Sequence, residues 1–190
     1  MKMMNKTFIA AIAVLGLSVT SQVHALGKID ADKASELNAD AKATQDTFNK
    51  DQPGATAILE SAKGVLTCPK ITKAGLGIGV EGGKCALEVG GETVDYYKYT
   101  AGKSGFLAGI SSYSMVMVFN DEAALGKFRS NKREWEVGAD ASVAVAKKGV
   151  SGKLDTNNIR GPIVSFIFGE KGLMYDASFK GGRFKRLEQK

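Results

Sequence analysis

The stretch Ala74–Tyr99, AGLGIGVEGGKCALEVGGETVDYYKY, decides the fold. Ala74–Val80, Lys84–Val89 and Thr93–Tyr99 read as short strands, and Gly82-Gly83 and Gly90-Gly91 fall where tight hairpin turns belong. Glycines within a strand, here Gly75, Gly77 and Gly79, suit strong curvature or a close approach of two backbones. The same texture begins at Gly64. It continues through Phe106–Ser111, Tyr113–Phe119, Val137–Ala146, Ile163–Phe168, Met174–Phe179 and Arg183–Leu187, with a further glycine pair at Gly181-Gly182. The plainest alternation sets Val137, Ala139, Ala141, Val143 and Val145 against Gly138, Asp140, Ser142 and Ala144, the period-two pattern of a half-buried strand.

Upstream the pattern is helical. Ala34, Leu37, Ala41, Thr44 and Phe48 recur at spacings of three and four, which puts them on one helix face. Such a face packs on its own domain or lies on a membrane. Asp51-Gln52-Pro53-Gly54 ends this helix, and Ala55–Lys63 reads as a short second one. A third, capped by Asn120 or Asp121 and with Glu122 in its first turn, runs to about Arg129. Many short strands with few helices predict an α+β fold. It is a curved, largely antiparallel sheet or barrel-like core with N-terminal helices and one short inserted helix. No boundary or fixed-period repeat divides it, so residues 26–54 form an N-terminal helical segment and 55–190 a single domain.

The first residues have a different purpose. Lys2 and Lys6 precede the apolar run Phe8–Val19, and a polar stretch then ends in Val23-His24-Ala25. This is the order of a secretory signal peptide over residues 1–25, with cleavage expected between Ala25 and Leu26. The apolar run is about twelve residues, short of the roughly twenty that span a bilayer. No cysteine stands near the cleavage site, so no lipobox is present. The expected destination is the periplasm or the exterior.

Removing Lys2 and Lys6 from the 26 basic residues leaves 24 against 20 acidic ones, a net charge of about +4. That suits an anionic lipid or polymer and is far from the charge of nucleic-acid-binding domains. The single histidine, His24, leaves with the signal. The mature chain therefore lacks the commonest general base and transition-metal ligand, which weighs against an enzyme, a metal site or a cofactor. Cys68 and Cys85 are the two cysteines. Export favours a disulfide between them, with two buried free thiols as the other reading.

Apparent nucleotide motifs fail on context. Gly77-Ile-Gly79-Val-Glu-Gly82 matches GxGxxG, but the run after it, Lys84–Val89, is a strand rather than the helix that must receive a pyrophosphate. Asp155-Thr156-Asn157-Asn158 lacks the glycine and terminal glutamate of an EF-hand loop. What stands out is basic. Lys147, Lys148, Lys180, Arg183, Lys185 and Arg186 gather late in the chain, with Phe179 and Phe184 among them. They form either a lipid-headgroup patch or a solvated edge strand kept soluble by its charge. In the last strand Arg183 and Lys185 share a face and Arg186 points to the other. Trp135, between Glu134 and Glu136, is expected in the core.

Several blocks together resemble the SYLF domain, a lipid-binding family also found in yeast and animal actin-patch proteins. They are Ile58–Leu66, Lys73–Gly79, Tyr113 onward into Glu122–Leu125, Trp135–Val143 and Phe168–Met174, in family order. The resemblance implies a non-enzymatic phospholipid-binding domain whose eukaryotic members use an amphipathic N-terminal stretch and basic residues. Exported, this chain meets neither actin nor abundant phosphoinositide, so anionic glycerophospholipid is the implied ligand. Val80-Glu-Gly-Gly-Lys-Cys85 and Tyr175-Asp176 depart from the family pattern. The expected function is a membrane-peripheral, phospholipid-binding protein of the cell envelope. The alternative is an envelope module that binds another protein.

Overall fold

In the computed structural model the described residues are 27–52, 54–131, 134–146, 161–169, 172–173 and 181–190, with backbone alone described for 103–108 and 172–173. The expected signal peptide with its Ala25–Leu26 cleavage site, the strand Met174–Phe179, Asp155–Asn158, Lys147, Lys148 and Lys180 lie outside the described residues. The elements run β1 (Lys28–Ile29), α1 (Ala31–Asp51), α2 (Ala55–Ser61), β2 (Gly64–Val89), β3 (Glu92–Phe119), α3 (Glu122–Ser130), β4 (Trp135–Glu136), β5 (Ala144–Val145), β6 (Ile163–Gly169), β7 (Gly172–Leu173) and β8 (Arg183–Gln189). The fold is α+β, as expected: one curved, mostly antiparallel sheet that does not close.

Two long strands organise it. β2 and β3 pair antiparallel along their whole length through a turn at Gly90-Gly91. Both glycines have positive φ, 62° and 85°, which a tight two-residue hairpin requires. The other end of β3 pairs with β6, and its first half pairs with β8, so one ribbon feeds two parts of the sheet. That is possible because the ribbon folds back at Gly77, where φ is +71°. Beyond the bend the two halves of β2 meet at backbone distance. Cys68 and Cys85 form a disulfide with their Cα atoms 4.1 Å apart. A side chain at Gly75 would stand 2.6 Å from the Ile78 carbonyl oxygen, and one at Gly83 would overlap the Lys70 carbonyl oxygen. Close approach is the role expected of the in-strand glycines.

The fold-back encloses the main core. Leu66, Cys68, Ile71, Cys85, Leu87, Tyr97 and Tyr99 line it from the ribbon. α3 plugs it with Phe128, whose ring lies within 6 Å of those of Tyr97, Phe119, Trp135 and Phe184. Asp121 caps α3 by accepting from the Ala124 amide at 2.8 Å. Trp135 is buried, as expected. Outside the sheet, α1 buries Ala34, Leu37, Ala41, Thr44 and Phe48, the face marked by its periodicity. Its first half covers Ala86, Tyr96 and Leu187, and Phe48 stacks on Phe168 and meets the Phe166 ring at a tilt. Gln45 ties it down by donating to Thr67 Oγ1 at 3.0 Å and Glu88 Oε2 at 3.1 Å. The amphipathic face therefore packs on its own sheet.

Some expectations are corrected. Ala74–Val80 and Lys84–Val89 belong to one strand, and Thr93–Tyr99, Phe106–Ser111 and Tyr113–Phe119 to another. Gly82-Gly83 is not a turn but lies in the middle of β2, opposite Thr100 and Tyr99. Val137–Ala146 is not one strand. The Asp140 amide donates to the Glu136 carbonyl at 2.9 Å, and the Asp140 carboxylate accepts from the Glu136 amide at 2.6 Å. These local bonds fold the segment into a turn between β4 and β5, overriding its alternation.

The tight seam makes a stability prediction. Gly83→Ala forces backbone apart and should cost about 1–3 kcal/mol. Gly102→Ala, whose added Cβ meets nothing within 4 Å, should change stability by less than about 0.5 kcal/mol. Urea unfolding of both variants without reductant measures the difference.

Candidate functional site

Of the residues expected to bind lipid, Arg183, Lys185 and Arg186 lie in β8, and its two arginines are in chemically different states. Arg183, directly opposite Glu136, donates from Nε to its Oε2 at 3.1 Å, and Glu134 stands 4.0 Å away. Arg186 pairs with Asp95, whose side chain is only 2% exposed. Arg129 of α3 reaches the same carboxylate at 2.9 Å. Arg186 thus helps to compensate a buried acid, a structural task, because an unpaired buried carboxylate is costly. As alternation required, Phe184 enters the main core while Leu187 lies under α1, so Arg183 and Lys185 share the outer face and Arg186 opposes them.

Lys185 has company that the linear chain conceals. It stands opposite Lys98 of β3, and Lys98 stands opposite Lys84 of β2. Three lysines therefore cross three neighbouring strands in one row. The next row toward the corner is Arg183, Thr100 and Gly82, and the row on the other side, Leu187, Tyr96 and Ala86, is covered by α1. Among the described residues, no carboxylate lies within ion-pair distance of Lys84, Lys98 or Lys185. Lys84 does act at longer range on Asp30, just before α1. Its carboxyl is held below the usual range first by the hydrogen bond and charge of Lys33, then by Lys190, with a smaller push from Lys84.

The row was missed from sequence because its register depends on a bulge. Val94 has no partner: Glu88 faces Thr93, whereas Leu87 faces Asp95. Counting outward from Gly90-Gly91 without that extra residue would set Lys84 against Tyr97, and the lysines would lie on opposite faces.

Below the outer face, a cleft of about 680 Å³ opens beside Thr100, Gly102 and Arg183 and reaches Glu81. Glu81 is buried and accepts from the Tyr99 hydroxyl at 2.8 Å, with Tyr113 also bound to it. Burial is the leading reason that the phenols of Tyr97, Tyr99 and Tyr113 are pushed well above their ordinary value, and the Glu81 charge adds to it at Tyr99 and Tyr113. Glu81, Tyr99 and Tyr113 together tie β2 to both halves of β3. Among the described residues no cluster of three or more His, Cys, Asp or Glu comes together.

Residues 100–189 match the family model Ysc84, described as Las17-binding protein actin regulator, which is the SYLF family that the sequence resembles. The match takes in most of β3, α3 and the C-terminal strands. A search of curated proteins finds no match to the chain.

The buried phenols give a pH prediction. A group whose folded pKa is raised contributes its stability below the unfolded value, and that contribution is lost as pH climbs above it. Stability should therefore hold up to about pH 10, the ordinary phenol value, and fall beyond it. Followed together through an alkaline titration, late tyrosinate absorbance and loss of circular dichroism should coincide. Full ionisation of the tyrosines in an intact fold would contradict the buried network.

Proposed function

We propose, taking residues 100–189 as a SYLF-family match, that the protein is an exported, non-enzymatic domain that sits on anionic phospholipid surfaces of the cell envelope. The observation that carries this reading is the row Lys84–Lys98–Lys185. Like charges directly opposite on one sheet face destabilise each other. An anionic surface reverses that effect, with each lysine contributing about 1 kcal/mol beside it. Arg183, one row on, adds a charge already shared with Glu136, and Arg186 is committed to Asp95. The face is thus more basic than β8 alone. Lys147, Lys148 and Lys180 lie outside the described residues.

Two further observations bear on the setting. The Cys68–Cys85 disulfide supports the exported reading, because such bridges persist in oxidising compartments. Packing of the α1 apolar face within the domain takes away the amphipathic surface used by eukaryotic members and leaves membrane contact to the sheet. The actin-regulatory role in the family's description is not carried to this chain, since export would separate it from a cytoskeleton.

The test uses the mature protein with vesicles of phosphatidylglycerol and of phosphatidylcholine. Wild type should float with the anionic vesicles and detach as salt rises, because the Debye length contracts from about 10 Å at 0.1 M to about 3 Å at 1 M. Lys84→Glu/Lys98→Glu should lose about tenfold or more in affinity at low salt. Arg186→Glu, if folded by circular dichroism, should lose less. Protein recovered from the envelope should begin at Leu26. Equal binding by the folded lysine variant and wild type would sink the role of the row, and a wild type that stays soluble would favour a protein partner.

A further inference from the structure

The fold-back that closes the core also leaves an apolar apex in water. Leu76 is 83% exposed, Ile78 79%, Val80 67% and Ile110 80%. These are not scattered residues. Leu76, Ile78 and Val80 flank the Gly77 bend, and Ile110 faces Ala74 on the adjoining strand. Gly79 and Glu81 are buried, so Ile78 and Val80 alternate with them on the outer face, where Val80 also lines the cleft beside Thr100 and Arg183. Single exposed aliphatics are ordinary, but four at one projecting corner of a strand pair mark a contact surface or an aggregation hazard.

The same face continues into the lysine row. Ile78, Val80, Gly82 and Lys84 alternate outward along β2 without a further register shift. Val80 is four residues from Lys84, roughly 13 Å along a strand. The apolar apex and the cationic row therefore succeed each other along one edge of the molecule. The positive charge adjoining these aliphatics suits an anionic bilayer, which needs no matching shape.

We infer that this corner is a membrane-inserting wedge, with Leu76, Ile78, Val80 and Ile110 entering the acyl boundary of an anionic bilayer while Lys84, Lys98 and Lys185 meet its headgroups. The inference rests on the lipid-surface reading above and adds where and how the protein enters the bilayer. Interfacial segments lie about 5–10 Å deep, and lysine stems span the remaining distance by running along the strand toward the headgroups. Charge sets the approach and salt dependence, and the apolar corner sets the residence.

Flotation with phosphatidylglycerol vesicles tests it, using the mature disulfide-bonded protein and Leu76→Ser/Ile78→Ser. Moving one aliphatic side chain fully out of water is worth roughly tenfold to a hundredfold in affinity. The double variant should lose about a hundredfold with an unchanged circular dichroism spectrum. In Ile78→Trp, emission should shift to the blue on vesicles and be quenched by lipids brominated high on their chains, with buried Trp135 as a constant background. Equal binding by wild type and double variant, with Ile78→Trp unquenched, would overturn the wedge and leave the lipid reading standing. A wild type that binds no vesicles would overturn both. A wild-type dimer converted to monomer by the double variant would show the corner to be a self-contact and overturn the wedge.

Discussion

Everything in this protein depends on two halves of one strand touching each other. Strands in separate layers stand about 10 Å apart, yet Cys68 and Cys85 hold their Cα atoms at 4.1 Å. Only glycine permits that approach at positions 75 and 83, and only a residue tolerant of φ +71° makes the bend at position 77. A bridge closing a loop of this length stabilises by roughly 3 kcal/mol in the chain-entropy account. Its larger consequence is geometric. With the ribbon folded, β3 serves β8 at one end and β6 at the other, and the aromatic core gathers between them.

The same fold-back sorts the surfaces. One outer region is covered by α1, whose apolar residues are consumed by Ala86, Tyr96, Leu187, Phe166 and Phe168. What remains outside, past the edge of that helix, is first a row of lysines and then an apolar corner. The amphipathic helix thus acts by subtraction: in covering part of the sheet it leaves the cationic and apolar remainder side by side.

Legibility in the sequence followed the range of the interaction. The buried face of α1 was readable because a helix face depends on local spacing, and all five marked residues are buried, whereas the strand Lys28–Ile29 before it was not. The in-strand glycines declared curvature, and an even cysteine count in a chain expected to be exported favoured the bridge. Long-range register was not readable. Nothing local distinguishes Gly90-Gly91, which turns, from Gly82-Gly83, which continues a strand and accommodates the Lys70 backbone. Nothing in the Val94 side chain announces that it will be the unpaired residue that brings Lys84 opposite Lys98. Arg183 and Arg186 look alike in sequence, yet one meets a half-buried glutamate and the other a fully buried aspartate. Charge pairing across strands is a tertiary property, and the basic run at the C-terminus overstated how much of its charge faces outward.

The central claim is that the sheet corner and the lysine row, rather than α1, form the membrane-facing side. Backbone NMR of the mature protein on anionic bicelles containing a spin-labelled lipid measures this residue by residue. The account predicts the strongest paramagnetic broadening at Leu76–Val80 and Gly109–Ile110, weaker broadening at Lys84, Lys98 and Lys185, and little along Ala31–Asp51. Broadening concentrated on Ala31–Asp51, or none at the corner in a protein that remains bound, would contradict it.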